Sequence, residues 1–436
     1  MDEGVGEYPV HKAVFDNDLP NLSKYLRKYD VAAKDKHGNT ALHLAVMLGR
    51  KECVQLLLNH DAPVKVKNAL GWTVLAEAVS YGHRPTIMSL VRKFRQQSKE
   101  QMEQRRPNLV AALNKIDNFY MELKWDFQSW VPLVSRILPS DVCKIYKCGA
   151  NIRLDTTLVD FSDMRWERGD ISFIFRGESP PTESLIVVDN VGQLYQRVSY
   201  EENELEIEDE VNLLMSTDIL AAQISTKRIS FARAQSGWIF REDKKELVAG
   251  QYEADLYTVH GLTLESRKRR EHLSADDLEK NKAMLSHFTK GTYNNGYSEN
   301  VRRSSLTPPP DKNVSWDEYV NAEVNNYPRL GRDIVYKESS KHFKATVAMS
   351  NDFPLSVEML LNVLEVIAPF KHFSKLRDFI NGKLPTGFPV KIELPILPTV
   401  TAKITFQDFE FRDDLTSSIF GIPDLYVEDP SRFPDL

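Results

Sequence analysis

Cysteine is scarce: Cys53, Cys143 and Cys148 are the only three in 436 residues, too few for a disulfide framework, and they point to a reducing compartment. A basic excess is missing as well, since 56 Lys and Arg stand against 62 Asp and Glu, for a net charge of −6. Without surplus cations to neutralise phosphates, nucleic acid is excluded as the main partner. The acidic start Met1-Asp2-Glu3-Gly4 has no apolar core behind it, so no secretory leader is expected. Long hydrophobic runs are absent too. The longest nearly apolar window, Val357 to Phe370, falls short of a membrane span and carries Glu358 and Glu365. The expected address is the cytosol or the cytosolic face of a membrane, where the sequons at Asn21 and Asn313 have no consequence. Catalytic patterns are missing in the same way. Gly4-Val5-Gly6 runs into Tyr8-Pro9 rather than a phosphate-binding helix, and there is no Gly-x-Ser-x-Gly elbow or His-Glu-x-x-His pair. Cys143 and Cys148 lack the further Cys or His of a tetrahedral zinc site. These absences describe a non-enzyme with no cofactor and no metal.

What is present is an ordinary globular composition, 42% hydrophobic and 27% charged, at a length that suits roughly two or three domains. Internal repetition comes first. Thr40-Ala41-Leu42-His43-Leu44-Ala45 returns as Thr73-Val74-Leu75-Ala76-Glu77-Ala78, 33 positions later, which is the ankyrin period. A degenerate copy, Pro9-Val10-His11-Lys12-Ala13, precedes them. Asp35-Lys36-His37-Gly38-Asn39 and Asn68-Ala69-Leu70-Gly71-Trp72 supply the glycine turns before the two better copies. Residues 1–106 are therefore read as a short ankyrin α-solenoid of about three repeats. Its last helix is predicted from Thr86 through Arg106 and is basic. His43 is assigned to the repeat's own hydrogen bonding rather than to a ligand. The turn tips Lys36, His37, Ala69 and Leu70 form a candidate partner face, the alternative being that the array only supports the next domain.

Residues 107–262 read as β-rich. Phe119 to Val134 concentrates aromatic residues suited to a core. Strands are predicted at Leu154–Phe161, Ile171–Phe175, Leu185–Val188, Leu194–Val198, Trp238–Phe240 and Tyr252–Val259, a spacing that suits an antiparallel sheet, sandwich or barrel. The acidic run Glu201 to Glu210 alternates with Leu205 and Ile207, as an exposed edge strand would, and an acidic docking site for a basic segment is the other reading. Residues 263–313 have the composition of a flexible polar linker. Its tetrabasic start, Arg267 to Arg270, reads as a solvated loop, with a nuclear signal or membrane contact as alternatives. Ser305 and Thr307, beside arginines and proline, are candidate phosphorylation sites.

Residues 314–436 complete the second domain. In Leu355 to Ala368, Glu358, Asn362 and Glu365 occupy one stripe and apolar residues cover nearly all the rest. Met359, Leu360, Val363, Leu364 and Ile367, with Phe370 and Phe373 beyond Pro369, are the candidate client-binding surface, and burial in a core is the competing reading. Val390, Ile392 and Leu394 then alternate with Lys391 and Glu393. Val400, Ala402, Ile404 and Phe406 do the same beyond Pro395 and Pro398, which are predicted to bracket the turn of a hairpin.

Lys124-Trp125-Asp126-Phe127, Trp130-Val131-Pro132-Leu133-Val134, Asp155-Thr156-Thr157-Leu158 and Lys383-Leu384-Pro385-Thr386-Gly387-Phe388-Pro389-Val390-Lys391-Ile392, behind ankyrin repeats, resemble the ankyrin repeat domain-containing 13 family over nearly the whole chain. The resemblance implies an α+β multidomain fold in which the solenoid precedes a β-rich G-protein-coupled-receptor chaperone domain with flanking helices. It also implies a non-enzymatic chaperone or adaptor for newly made G-protein-coupled receptors or other membrane-protein clients, peripheral at the cytosolic face of the endoplasmic reticulum and controlling receptor exit. The alternative is an endocytic or scaffold adaptor that uses the ankyrin face. Several family members carry ubiquitin-interacting helices after this domain. None is found before Leu436, which favours the C-type branch that lacks them.

Overall fold

Thr40 and Thr73 do the same thing in successive repeats: each hydroxyl accepts a hydrogen bond from the backbone N–H three residues on, of His43 and Ala76, and starts a helix. The computed structural model describes residues 7–129, 138–162, 165–198, 204–225, 228–236, 242–290, 302–324, 326–359, 361, 383–397 and 400–433. Its contacts form two units. The first holds Met1–Glu100, Glu201–Gln223 and Glu265–Ser340, and the second holds Gln101–Tyr200, Ile224–Leu264 and Lys341–Leu436. The composition-based boundaries at 106, 262 and 313 differ from this partition, because two segments remote in sequence pack onto the solenoid.

The repeats give paired helices α1 (Pro9–Phe15) and α2 (Leu19–Tyr25), α3 (Ala41–Met47) and α4 (Lys51–Asn59), and α5 (Val74–Tyr81) and α6 (Arg84–Asn114), all in the first unit except the part of α6 from Gln101 on. Leu22, Leu42, Leu44, Leu57, Ile87 and Leu90 are fully buried in one continuous core. Helix α6 continues past the predicted end at Arg106 and through Pro107 to Asn114.

The acidic run is helical, not an edge strand: α7 spans Glu204–Ser216. Ile207, Val211 and Met215 recur every four residues and are buried, a spacing that overrides the short alternation of Leu205 and Ile207. Its carboxylates meet the basic start of α6, Glu204 on Arg92 at 2.6 Å and Glu206 and Glu210 on Arg95 at 3.0 and 2.8 Å. The basic segment that an acidic docking site would await is thus supplied by the chain itself. The stretch read as a linker contains α8 (Ala275–Lys290), and past residue 301 the chain forms a strap along the repeats that includes the short helix α9 (Trp316–Asn321). Ser315 and Glu318 cap α9 reciprocally, as a Ser-x-x-Glu box does.

The second unit is built on strands β1 (Phe119–Ser129), β2 (Ser140–Cys148), β3 (Asn151–Ser162), β4 (Arg165–Arg176), β5 (Leu185–Asp189) and β6 (Leu194–Arg197). After β7 (Ile219–Ser225) come β8 (Ser230–Arg233), the small pair β9 (Gln235–Ser236) and β10 (Glu242–Asp243), then β11 (Lys245–Val248) and β12 (Tyr252–Arg269). The set closes with β13 (Tyr336–Ser350), β14 (Phe388–Leu397), β15 (Val400–Phe411) and β16 (Val427–Glu428). The order is β11-β12-β13-β14-β15-β1-β2-β3-β4-β5-β6-β16, with β7 and β8 also paired to β12. From β13 to β6 each neighbour is antiparallel, while β16 joins β6 in parallel. The sheet is open rather than a barrel. Its end strands have four and two residues, too short to close a ladder and short enough to blunt the edges.

The predicted hairpin is β14–β15, with Ile392 opposite Ile404. Pro395 lies inside β14 rather than ending it, because a register shift beside it removes the need for its missing N–H. Phe388 stacks on Phe353 at 4.3 Å and meets Phe406 edge-on at 4.9 Å, while Val390 is fully buried and Ile392 and Leu394 are half-buried. Gly387, at φ +102°, turns into this core where a Cβ would come within 2.6 Å of the Ser350 carbonyl oxygen. The predicted strand at Trp238–Phe240 lies outside the described residues.

Candidate functional site

The two fingers that precede α3 and α5 share one frame. Lys34 bridges Thr40 and Lys67 bridges Thr73, and Asp35 and Asn68 each accept from a backbone N–H four residues on. The Ala69 N–H then donates to the His37 carbonyl at 3.0 Å and ties one finger to the next. What the fingers hold differs.

The first finger holds the strap. The Tyr319 hydroxyl donates to Asp35 at 2.6 Å and accepts from the Asn39 amide at 2.8 Å. The His37 ring nitrogens face the Tyr319 and Val324 carbonyl oxygens at 2.9 and 3.2 Å. That ring lies between Tyr319 and Tyr327, at centroid distances of 4.8 and 4.6 Å, and Trp316 meets Phe15 edge-on at 5.4 Å. Tyr319 and His37 are fully buried. Burial, and then the Asp35 carboxylate, push the Tyr319 phenol well above its usual range, so it stays a neutral donor.

The second finger holds a charge. Arg269 is 1% exposed, and its guanidinium forks onto Glu77 at 2.9 and 3.1 Å. It also reaches Glu271 at 2.6 Å and lies over the Trp72 ring at 4.9 Å. Burial alone would raise the Glu271 pKa, but Arg269 and a 2.6 Å bond from Ser80 hold it below the usual carboxylate range. Glu77 occupies the repeat position of Leu44, so a buried carboxylate stands where the preceding repeat has an aliphatic side chain. The tetrabasic run is therefore no solvated loop at its third residue. A groove of about 720 Å³ beside this finger is lined by both signs of charge, Lys67 and Arg267 with Glu265 and Glu338.

His43 serves the frame. Thr40 N–H donates to its Nδ1 at 3.2 Å, which leaves Nε2–H for the Trp72 carbonyl at 3.2 Å. Burial lowers its pKa to about 4, so the neutral ring persists near neutrality.

Of the candidate partner face, Lys36 and Ala69 are exposed, Leu70 is half-buried and His37 is covered by the strap. Of the candidate client surface, Met359 is described and exposed, and Leu360, Val363, Leu364, Ile367, Phe370 and Phe373 lie outside the described residues. The apolar segment enters from the aromatic core through buried Phe353 and Leu355. Ser305 and Thr307 lie on the strap, where the Ser305 Oγ accepts from the Arg84 N–H at 3.0 Å and the Thr307 carbonyl accepts from Arg332. Sequence reasoning missed Asp35, Asn39, Glu77, Arg269, Tyr319 and Tyr327. Two signals were available, an acid at a buried repeat position and a Ser-x-x-Glu box inside a polar stretch. No group of metal-binding side chains occurs among the described residues, and none of their helices is long and apolar enough to cross a membrane.

Comparison with known proteins bears on the whole chain. The family model described as "ANKRD13 C-terminal" matches residues 153–423, and that described as "Ankyrin repeats (3 copies)" matches residues 4–114. Ankyrin repeat domain-containing protein 13C of Homo sapiens is 60% identical over 432 residues, covering 98% of this chain and 79% of that protein. The protein of that name in Danio rerio is 60% identical over 432 residues, covering 99% and 88%. Ankyrin repeat domain-containing protein 13B of Mus musculus is 35% identical over 442 residues, covering 96% and 70%.

Proposed function

The chain belongs to the ankyrin repeat domain-containing protein 13 family, and from that premise we propose that it is a non-enzymatic chaperone for newly made G-protein-coupled receptors at the cytosolic face of the endoplasmic reticulum. The observation that carries this reading over an ankyrin-face adaptor is the burial of His37 beneath the chain's own Tyr319 and Tyr327. A finger already filled from within has little concave surface left for a second protein. Client binding then falls to the apolar stretch from Met359 to Phe373, which suits the short basic and apolar tails and loops that receptors expose to the cytosol.

The test is co-precipitation from a membrane fraction, with receptor glycan maturity as the readout. Immature receptors should come down with the full chain and still do so when Lys36→Glu and Ala69→Arg alter the exposed finger tips. Recovery of mature surface receptors alone, or of none, overturns the chaperone reading. Loss of every partner in the finger variant favours the adaptor.

A further inference from the structure

The strap is held by two contacts at the start of α6, one to α7 and one within itself. Leu306 N–H donates to the Gly82 carbonyl at 2.9 Å, Arg84 N–H donates to the Ser305 Oγ at 3.0 Å, Arg303 N–H donates to the Asn212 Oδ1 at 3.0 Å, and Arg332 donates to the Thr307 carbonyl. Ser305 is exposed, and its hydroxyl touches the N-terminus of a 31-residue helix. The residue whose N–H it accepts from carries an unusual side chain. Arg84 is 6% exposed, yet its Nε and Nη2 have no hydrogen-bond partner among the described residues, and the Glu208 carboxylate is 3.9 Å from Nη2. Only Nη1 is used, donating at 2.9 Å to the same Asn212 oxygen that receives the Arg303 N–H. That shared oxygen sets the guanidinium beside the strap backbone, two residues from Ser305.

We propose that Ser305 is a phosphorylation site and that Arg84 with the first turn of α6 is the seat of its phosphate. Phosphoryl transfer from a nucleoside triphosphate forms an Oγ–P bond at Ser305 and breaks the bond to the bridging oxygen, which leaves with the diphosphate; the hydroxyl proton passes to the base of the kinase. Arg302 and Arg303, three and two residues ahead, give the substrate segment a basic lead. The new dianion meets the positive end of the helix and two unspent guanidinium donors, and charge-assisted bonds replace one neutral one. Phosphorylation therefore tightens the strap. The other charged or titratable groups in reach are His83 at the helix start, Arg302, Arg303 and Arg332 on the strap side, Glu208 on α7 and Asp277 on α8; Arg302 and Arg303 pair with the two acids. The net surroundings are cationic. The proposal stands independently of the chaperone reading.

The experiment installs phosphoserine at 305, and separately at 304, in the full chain. Hydrogen exchange at Leu306 and Arg84 should slow by about fivefold to thirtyfold with phosphoserine at 305 and not at 304. The ³¹P titration midpoint of phosphoserine 305 should fall about half a unit or more below that of phosphoserine 304. Arg84→Gln should erase both differences; should that variant fail to fold, the titration in the unaltered chain decides. Equal midpoints, faster exchange, or a gain that survives Arg84→Gln overturn the seat. Mass spectrometry of the protein from cells that finds Ser305 unmodified overturns the modification.

Discussion

The fingers before α3 and α5 hang on identical frames and solve different problems. In the first, Asp35, His37 and Asn39 enclose a neutral phenol, and every contact is a hydrogen bond or a ring face. In the second, Trp72 and Glu77 enclose a guanidinium, and its charge is matched by two acids. The positions that shape a repeat, Thr40 and Thr73 above all, stay the same, and the positions between them are free to bind. In this chain both fingers bind later parts of the same chain. Without the Tyr319 hydroxyl, Asp35 keeps two backbone N–H donors, of His37 and Asn39, whereas without the Arg269 guanidinium two buried acids lose their cation, so the two fingers should respond to substitution on different scales.

Arg269→Met makes the sharpest break. It leaves Glu77 and Glu271 buried without their cation and should cost about 3–5 kcal/mol in urea unfolding. Adding Glu77→Leu, which puts the side chain of Leu44 at the equivalent place, should recover part of the loss. A double variant as destabilised as the sum of its parts would show that the pair is not coupled.

Next in size is a pH effect confined to the frame. His43 is held neutral in the folded chain, with its pKa lowered from 6.5 to about 4. Between these values the unfolded chain binds the extra proton, so stability should rise with pH from about 4 to 6.5, by about 3 kcal/mol for this group. Below pH 4 the group adds no slope. His43→Gln can still accept at the cap but does not titrate, and should flatten that part of the profile measured by denaturation across pH. His11 and His272, also lowered by burial, leave a residual slope.

The comparison also explains what could be read in advance. The repeats and the hairpin were legible because each has a local period, 33 residues for Thr40 and Thr73 and two for Val390, Ile392 and Leu394. The fillers of the fingers were not. Tyr319 and Arg269 lie 280 and 192 positions from Asn39 and Glu77, in stretches too polar to suggest burial. Composition treats Arg269 as a solvated charge, and only the acid at a leucine position hints that it is paired. The acidic run was misread because Leu205 and Ile207, two residues apart, suit a strand, and the residues that carry the helical spacing on from Ile207, Val211 and Met215, lie beyond it.

Within the first finger, Tyr319→Phe keeps the ring stack and removes the hydroxyl. Asp35 then loses a hydroxyl donor at 2.6 Å, and the Asn39 amide loses its bond to that hydroxyl, in a site where the Asn39 Oδ1 has no hydrogen-bond partner among the described residues. A loss of about 1–3 kcal/mol is expected, seen as a lower urea midpoint with an unchanged slope. A loss as large as that of Arg269→Met would erase the distinction between the fingers.

The smallest effect belongs to the charges that looked most conspicuous in the sequence. Glu204 meets Arg92 at 2.6 Å, but its side chain is 62% exposed and that of Arg92 35%. Water solvates both ions well when they are apart, so pairing gains little, and holding two long side chains in place offsets part of that gain. Glu204→Gln should change stability by less than about 1 kcal/mol, and the change should vanish at about 1 M salt, where the screening length shrinks to about 3 Å. Glu77, buried on the same unit, should keep its effect at that salt concentration because no ions reach it. A Glu204 effect that persisted in high salt would mean that α7 is held to α6 by its charges; otherwise Ile207, Val211 and Met215 hold it, and the acids only set which face turns toward the arginines.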